Sequence, residues 1–300
     1  MKKVSRVVAL VLLLAMAPIA ASATEGFSMA LTDSSGEKVI ELKRFFAQFD
    51  WRSDGSGDTI RRVRPLLYLG HGTCRGKVEM NLAATEVAND ANGNWLEIAT
   101  LECAVSANTT VSVGRLFLSG PRSTPPPFLL RTVEYPKSNT FAAYAYGVQL
   151  QRTFGEWNFV VDVTGDSGRQ FNDDGNFDRI ESSFRIGRKL GSVGTLSFTS
   201  QLSRDFTRVG LDWMSSSDQK LNVWAGVYYD DGTTEKLLGM AQVSYPLGRY
   251  IRPHVMWDHR PDGSEEWTVG TEVFVTPHVR VLGDYETRAD RILARLQFHW

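Results

Sequence analysis

The sequence predicts an all-β fold, a transmembrane antiparallel up-and-down β-barrel of about sixteen strands, with fourteen as the alternative count. Three observations predict it. The chain opens with a basic and then apolar segment of the kind that directs export. From Asp178 onward it divides into segments of about ten residues that alternate apolar and polar and are separated by turn clusters. It stops at RILARLQFHW, residues 291–300, inside that alternation. Ile292, Ala294, Leu296, Phe298 and Trp300 form one face, and Arg291, Arg295, Gln297 and His299 the other, with Leu293 alone out of step.

The opening segment places Lys2, Lys3 and Arg6 before an apolar run from Val7 to Ala17, followed by Ala21-Ser22-Ala23. Small residues two apart after such a run mark a signal-peptidase site, so residues 1–23 read as a signal peptide and 24–300 as the mature barrel. Without those three basic residues the formal charge of −1 becomes −4, which implies no basic surface for nucleic acid. No later run reaches the roughly eighteen apolar residues of a spanning helix.

Strands in the first half are expected near 38–51, 59–70, 74–84, 94–104, 109–117, 140–153 and 157–165. The second half gives 178–189, 195–203, 206–215, 219–229, 235–246, 250–258, 265–275, 279–287 and 290–300. Seven and nine make sixteen, an even number, as a single-chain barrel needs when both termini lie on one side. Three of the first four alternate connections, 85–93, 118–139 and 166–177, are longer than any of the intervening turns, which is the asymmetry between outer loops and inner turns.

Energetic cost assigns the faces. A lipid-exposed arginine at mid-membrane costs about 2–4 kcal/mol, so the charged rows must point inward. Arg252, His254, Met256 and Asp258 then face the lumen, as do Arg280, Asp284 and Glu286, while Ile251, Val255, Trp257, Val279, Val281 and Tyr285 face lipid. A soluble ligand-binding barrel would show the reverse arrangement. Tyr245, Trp257, Trp267, Tyr285 and Trp300 sit near strand ends, where an interfacial aromatic girdle belongs.

At residues 60–121 the chain resembles the early strands of the phosphate-selective porin family of Gram-negative outer membranes. The residues that carry the resemblance are Arg61, Arg62 and Arg64 opening a strand, the strand Lys77-Val78-Glu79-Met80, and Val111-Ser112-Val113-Gly114 running into a proline-containing loop. Residues 146–168 are similar to that family's strand-turn-strand at the start of its second third. Arg115 stands where the family carries glutamine. The resemblance implies a bacterial outer-membrane channel for passive diffusion of small hydrophilic solutes or ions, anion- or phosphate-preferring, with no cofactor. It implies contact with outer-membrane lipid, a homotrimer, and recognition of Phe298 and Trp300 at the C-terminus by the barrel assembly machinery. The alternative is a plugged, non-conducting barrel serving as receptor, anchor or secretion component.

The connection 118–139 is the candidate constriction. Pro125, Pro126 and Pro127 stiffen an extended backbone, and the run from Phe128 to Tyr135 is apolar enough to require burial. Arg122, Arg131 and Lys137 against Glu134 leave it net positive. With the lumenal Arg252, Arg280, Arg291 and Arg295, these residues point to an anion-preferring pore. Equally open is that the wall arginines pair with Asp258, Glu272, Asp284 and Glu286 and brace the barrel.

Cys74 and Cys103 fall at matching ends of one hairpin, so a disulfide is expected in an oxidising compartment, ahead of metal binding with His71. The acidic loops at 89–94 and 172–178 lack the full calcium-loop spacing. No serine stands in a G-x-S-x-G elbow, so a hydrolase is disfavoured.

Overall fold

The computed structural model describes residues 29–54, 59–70, 72–83, 96–119, 136–138, 144–165, 180–216 and 220–299. The signal segment, Trp300, Arg122, Arg131, His71 and most of the 118–139 connection lie outside the described residues.

Seventeen strands follow one another among the described residues: β1 (Met29–Thr32), β2 (Lys38–Arg52), β3 (Thr59–Leu69), β4 (Cys74–Met80), β5 (Leu96–Ser106), β6 (Thr109–Phe117), β7 (Tyr144–Phe154), β8 (Trp157–Thr164) and β9 (Glu181–Leu190) in the first part. The second part holds β10 (Gly194–Leu202), β11 (Thr207–Ser215), β12 (Asn222–Asp230), β13 (Leu237–Ser244), β14 (Ile251–His259), β15 (Glu265–Thr276), β16 (Val279–Glu286) and β17 (Arg291–His299). From β2 to β17 each strand pairs antiparallel with its sequence neighbours, and β17 returns to β2, from Leu293 opposite Arg52 to His299 opposite Phe46. Sixteen strands therefore close a ring with no open edge, which satisfies every backbone group that a bilayer could not.

The closure rests on strict period-two patterning. In β16, Arg280, Leu282, Asp284 and Glu286 are buried against exposed Val281 and Tyr285. In β12, Trp224, Tyr228 and Asp230 are buried against exposed Val227 and Tyr229. A one-residue slip would turn the inward charges onto the apolar outer face, so the register is strongly specified. Several bulges adjust it, among them one between Leu42 and Arg44 in β2 and a second where Glu79 and Met80 of β4 meet Ile98 and Leu96 of β5. The second leaves Glu97 as the extra residue and lets its carboxylate reach Arg64.

The strand β1 is absent from the sequence expectations. It pairs with the first part of β2, Met29 opposite Leu42 and Ala30 opposite Glu41, extending the seam beyond the point where β17 ends. Its turn is made by Asp33, whose Oδ1 accepts from the backbone N of Ser35 (2.8 Å) and Glu37 (3.0 Å), with Gly36 in the left-handed region at φ 86°. Four residues are too few for periodicity to show.

Candidate pore lining

The barrel is inverted relative to a soluble protein. Leu211, Val227, Val269 and Ile292 are exposed on the outside, whereas Asp162, Asp258, Glu266 and Glu272 are wholly buried on the inside. Charged side chains survive in that position only when paired and hydrogen-bonded, and the wall supplies partners throughout.

Two arcs of wall can be distinguished. From β14 through β17 and β2 to β5 runs a ladder of ion pairs. Arg295 holds Asp50 with two parallel bonds, Nε to Oδ1 and Nη2 to Oδ2, both 2.7 Å. Arg280 is clamped by Glu272 and donates to Gln297 Oε1 at 3.0 Å. Arg252 approaches the same Glu272 at 3.8 Å. Arg291 donates to Glu286 at 2.6 Å and reaches Asp54 on the rim at 3.3 Å. Arg260 lies between Asp258 (3.2 Å) and Glu266 (3.4 Å). On the far side of the seam, Arg44 pairs with Glu79 at 2.7 Å, Arg64 with Glu97 at 2.6 Å, and Lys77 with Glu102 at 3.1 Å.

The opposite arc, β8 to β13, is quieter. Arg185 pairs with Asp212 at 3.3 Å and Arg208 with Asp230 at 3.0 Å. Asp162 collects Ser119, Ser183 and Gln149. Between these pairs an apolar cluster projects inward, made of Trp224, Tyr228, Leu238 and Met240, with Met214 against it. Several lumenal hydroxyls, those of Thr100, Ser197, Thr199, Ser244 and Thr268, are buried with no protein partner among the described residues.

One histidine is held tightly. His254 Nε2 lies 2.7 Å from Asp284 Oδ1, although β15 runs between their strands. The intervening residue is Gly270, and a Cβ there would stand 2.6 Å from His254 Nε2 and would collide with Asp284. Sequence reading placed His254 and Asp284 on the inner face but gave no sign of their pairing, because nothing in a strand pattern marks which glycine opens a path between strands.

Arg252, Arg280, Arg291 and Arg295 all lie on the inner face, and each is ion-paired. Of the three loop cations, only Lys137 is described, with its side chain exposed. The exposures within the pairs matter more than the pairing itself. The cation is the more exposed partner in Arg44–Glu79 (30% against 5%), Arg252–Glu272 (21% against 0%) and Arg291–Glu286 (19% against 2%). Lys77–Glu102 and Arg260–Asp258 are layered the same way, while Arg64–Glu97 and the rim pair Arg291–Asp54 are reversed. Long basic side chains rise from the wall and fold over short carboxylates that sit against the strands. Composition shows a neutral wall, and this layering is invisible to it.

Cys74 and Cys103 stand directly opposite each other in β4 and β5 and form a disulfide with an S–S distance of 2.13 Å. It lies on the outer face, on the same side of β5 as exposed Leu101 and Val105, and takes no part in the lining.

The ends of the 118–139 connection are both tied to the inner wall. Next to β6, the backbone N (2.8 Å) and Oγ (2.5 Å) of Ser119 donate to Asp162 of β8. At the other end, the backbone N of Lys137 and Ser138 donate to the two oxygens of Asp258, at 2.8 and 3.0 Å. Asp258 belongs to β14, eight strands from β6 in either direction around the closed ring of sixteen.

A closed antiparallel barrel of sixteen strands, polar within and apolar without, is the architecture of a transmembrane barrel. Comparison with solved structures agrees. A triple mutant of the Rhodopseudomonas blastica porin superposes with a TM-score of 0.63 at 14% identity, covering 87% of this chain and 100% of that one. Salmonella typhi OmpF in complex with daunomycin gives 0.62 at 10% identity, covering 91% of this chain and 100% of that one. At such identities the likeness is one of fold, to porins as a structural class. No protein-family model matches the chain, and no curated protein is similar to it in sequence.

Proposed function

We propose that this protein is a bacterial outer-membrane channel for passive diffusion of small hydrophilic solutes and ions, with a preference for anions. The observation that carries the reading is the layered wall, in which a solute meets the heads of Arg44, Lys77, Arg252 and Arg291 before the carboxylates beneath them. Coulomb interaction falls with distance and strengthens in a narrow, partly desolvated passage, so the nearer charge dominates although the pairs sum to zero. Inorganic phosphate is the anion to test first, since Arg61, Arg62 and Arg64, the strand Lys77-Val78-Glu79-Met80 and Val111-Ser112-Val113-Gly114 carry the resemblance to phosphate-selective porins.

The 118–139 connection is the constriction in this reading, and chain reach supports it. Ser138 is held at β14 and β7 begins at Tyr144. Six extended steps span at most about 20–22 Å. The way around the wall from β14 to β7 is seven strand spacings, about 33 Å. A path through the interior is the one short enough, and it would bring the loop cations Arg122, Arg131 and Lys137 to the water path. The apolar outer belt would meet outer-membrane lipid, the terminal strand with Phe298 and Trp300 would be read by the barrel assembly machinery, and a homotrimer would be the assembled form. A plugged barrel is the second reading, favoured by the near-complete burial of the lumenal Tyr228, Leu238 and Met240.

Reversal potentials in a potassium chloride gradient test the preference. An anion-selective potential is expected, moving toward zero in the double variant Arg44→Gln, Arg252→Gln. A cation-selective potential for the unsubstituted protein would refute it.

A further inference from the structure

On the outer wall of β7 to β9 the apolar belt is broken by charge at one end. Val148, Leu150, Phe159, Val161 and Val163 are exposed outward, and on the same face, toward that end, stand Arg152 of β7 and Arg188 of β9. Each lies two residues from the end of its strand, beside the short turns 155–156 and 191–193. The asymmetry between long and short connections assigns this end to the periplasm. An outward arginine is costly at mid-membrane, but at headgroup level that cost nearly vanishes.

These two arginines differ from the lumenal ones in their partners. Arg185, Arg208, Arg280 and Arg295 each hold a carboxylate on the wall. The exposed side chain of Arg152 has neither ion pair nor hydrogen bond among the described residues. Arg188 only approaches Glu156, at 4.0 Å, with about half of each side chain exposed. It lies instead over the Trp157 ring, 5.2 Å from the centroid, and Trp157 stacks on Phe159 at 6.2 Å. Register sets Arg152 opposite Phe159 and Arg188 opposite Trp157, so the two arginines flank β8, two strand spacings or about 10 Å apart across the sheet. Guanidinium groups bind phosphate oxygens through paired N–H donors, and aromatic rings at the interface pack on the glycerol region and the first methylenes of a lipid.

We propose that this face binds one acidic phospholipid of the periplasmic leaflet, its phosphate between Arg152 and Arg188 and its upper acyl chains on Trp157 and Phe159. The proposal rests on the reading of the chain as an outer-membrane barrel and extends it by naming a lipid class and the place where it docks. Charge complementarity selects that class: two outward cations without a wall carboxylate of their own stand where a bilayer presents its phosphates.

The test uses the full-length mature barrel refolded into phosphatidylcholine vesicles carrying increasing fractions of brominated lipid, with Trp157 emission taken as the difference from a Trp157→Phe variant. The fraction needed for half-quenching should be about ten-fold lower for brominated phosphatidylglycerol than for brominated phosphatidylcholine. In the double variant Arg152→Gln, Arg188→Gln the two lipids should quench alike. Glu156→Gln, which removes the carboxylate nearest Arg188, should sharpen the preference. Equal quenching in the unsubstituted protein, or a preference that survives the double variant, would overturn the site. Quenching by neither lipid in a heat-modifiable, protease-protected barrel would mean that another chain covers this face, which overturns the lipid site and leaves the membrane barrel intact. Failure of the folded protein to enter the vesicles at all would overturn the membrane reading itself, and the site with it.

Discussion

At Gly270 a single missing side chain lets His254 reach across a strand to Asp284. Substitution by alanine should lower unfolding stability in detergent by about 1–3 kcal/mol, the usual penalty for forcing atoms into a filled site. A stability equal to the unsubstituted barrel would mean that the wall relaxes freely there. The bidentate pair Arg295–Asp50 makes a second case. Arg295→Met should cost about 3–5 kcal/mol because it strips a buried carboxylate of its main cation, and adding Asp50→Asn should recover part of the loss. On the rim, Asp262 accepts hydrogen bonds from the hydroxyl and backbone N of Ser264 and lies 3.5 Å from Arg288. These contacts, led by the Ser264 hydroxyl, pull its carboxyl down to about 2. A lowered folded-state value stabilises the turn above the ordinary carboxylate range and loses that contribution as pH falls through about 2. Hydrogen-exchange protection of the 260–264 turn should thus fall progressively as pH drops from the ordinary carboxylate range toward about 2, and Asp262→Asn should remove that pH dependence.

Individual strands show what the sequence could and could not disclose. Alternation in β9 to β17 is plain because the outer face is apolar and the inner face charged, so each side chain has a forced direction. The cross-strand cysteines are readable for a similar reason, since Cys74 opens β4 and Cys103 lies near the end of the antiparallel β5, 29 residues on. Replacing Cys103 by serine should lower stability by about 2–4 kcal/mol, on the order of a cross-link closing a loop of that length. The strand β1 was not readable, being four residues paired to one part of β2. Nor were the bulges, which are set by how strands meet. The direction of Leu211, exposed at mid-strand in β11, gives the element its own test. Leu211→Arg should destabilise the barrel in lipid by about 2–4 kcal/mol, whereas Asp212→Asn, on the lumenal side, should not disturb insertion.

Across the whole molecule, the ring of sixteen strands sets the roles of its parts. Closure removes every edge, and inversion turns charge inward. The inward charges then pair with one another, the cation being the more exposed partner in most pairs, such as Arg44–Glu79 and Arg252–Glu272. Sequence reading could count the charges but not order them by height, because that order depends on the length of arginine relative to aspartate and on which strands stand side by side. The connection that starts at Ser119 and ends at Ser138 adds a second asymmetry, since its two anchors, Asp162 and Asp258, lie on different walls. Whether this barrel conducts decides whether it is a channel. Planar-bilayer recording of the refolded mature protein tests it most directly: steady, ohmic single-channel steps that diminish on addition of phosphate are the predicted result, and a folded, heat-modifiable barrel that passes no current would contradict it.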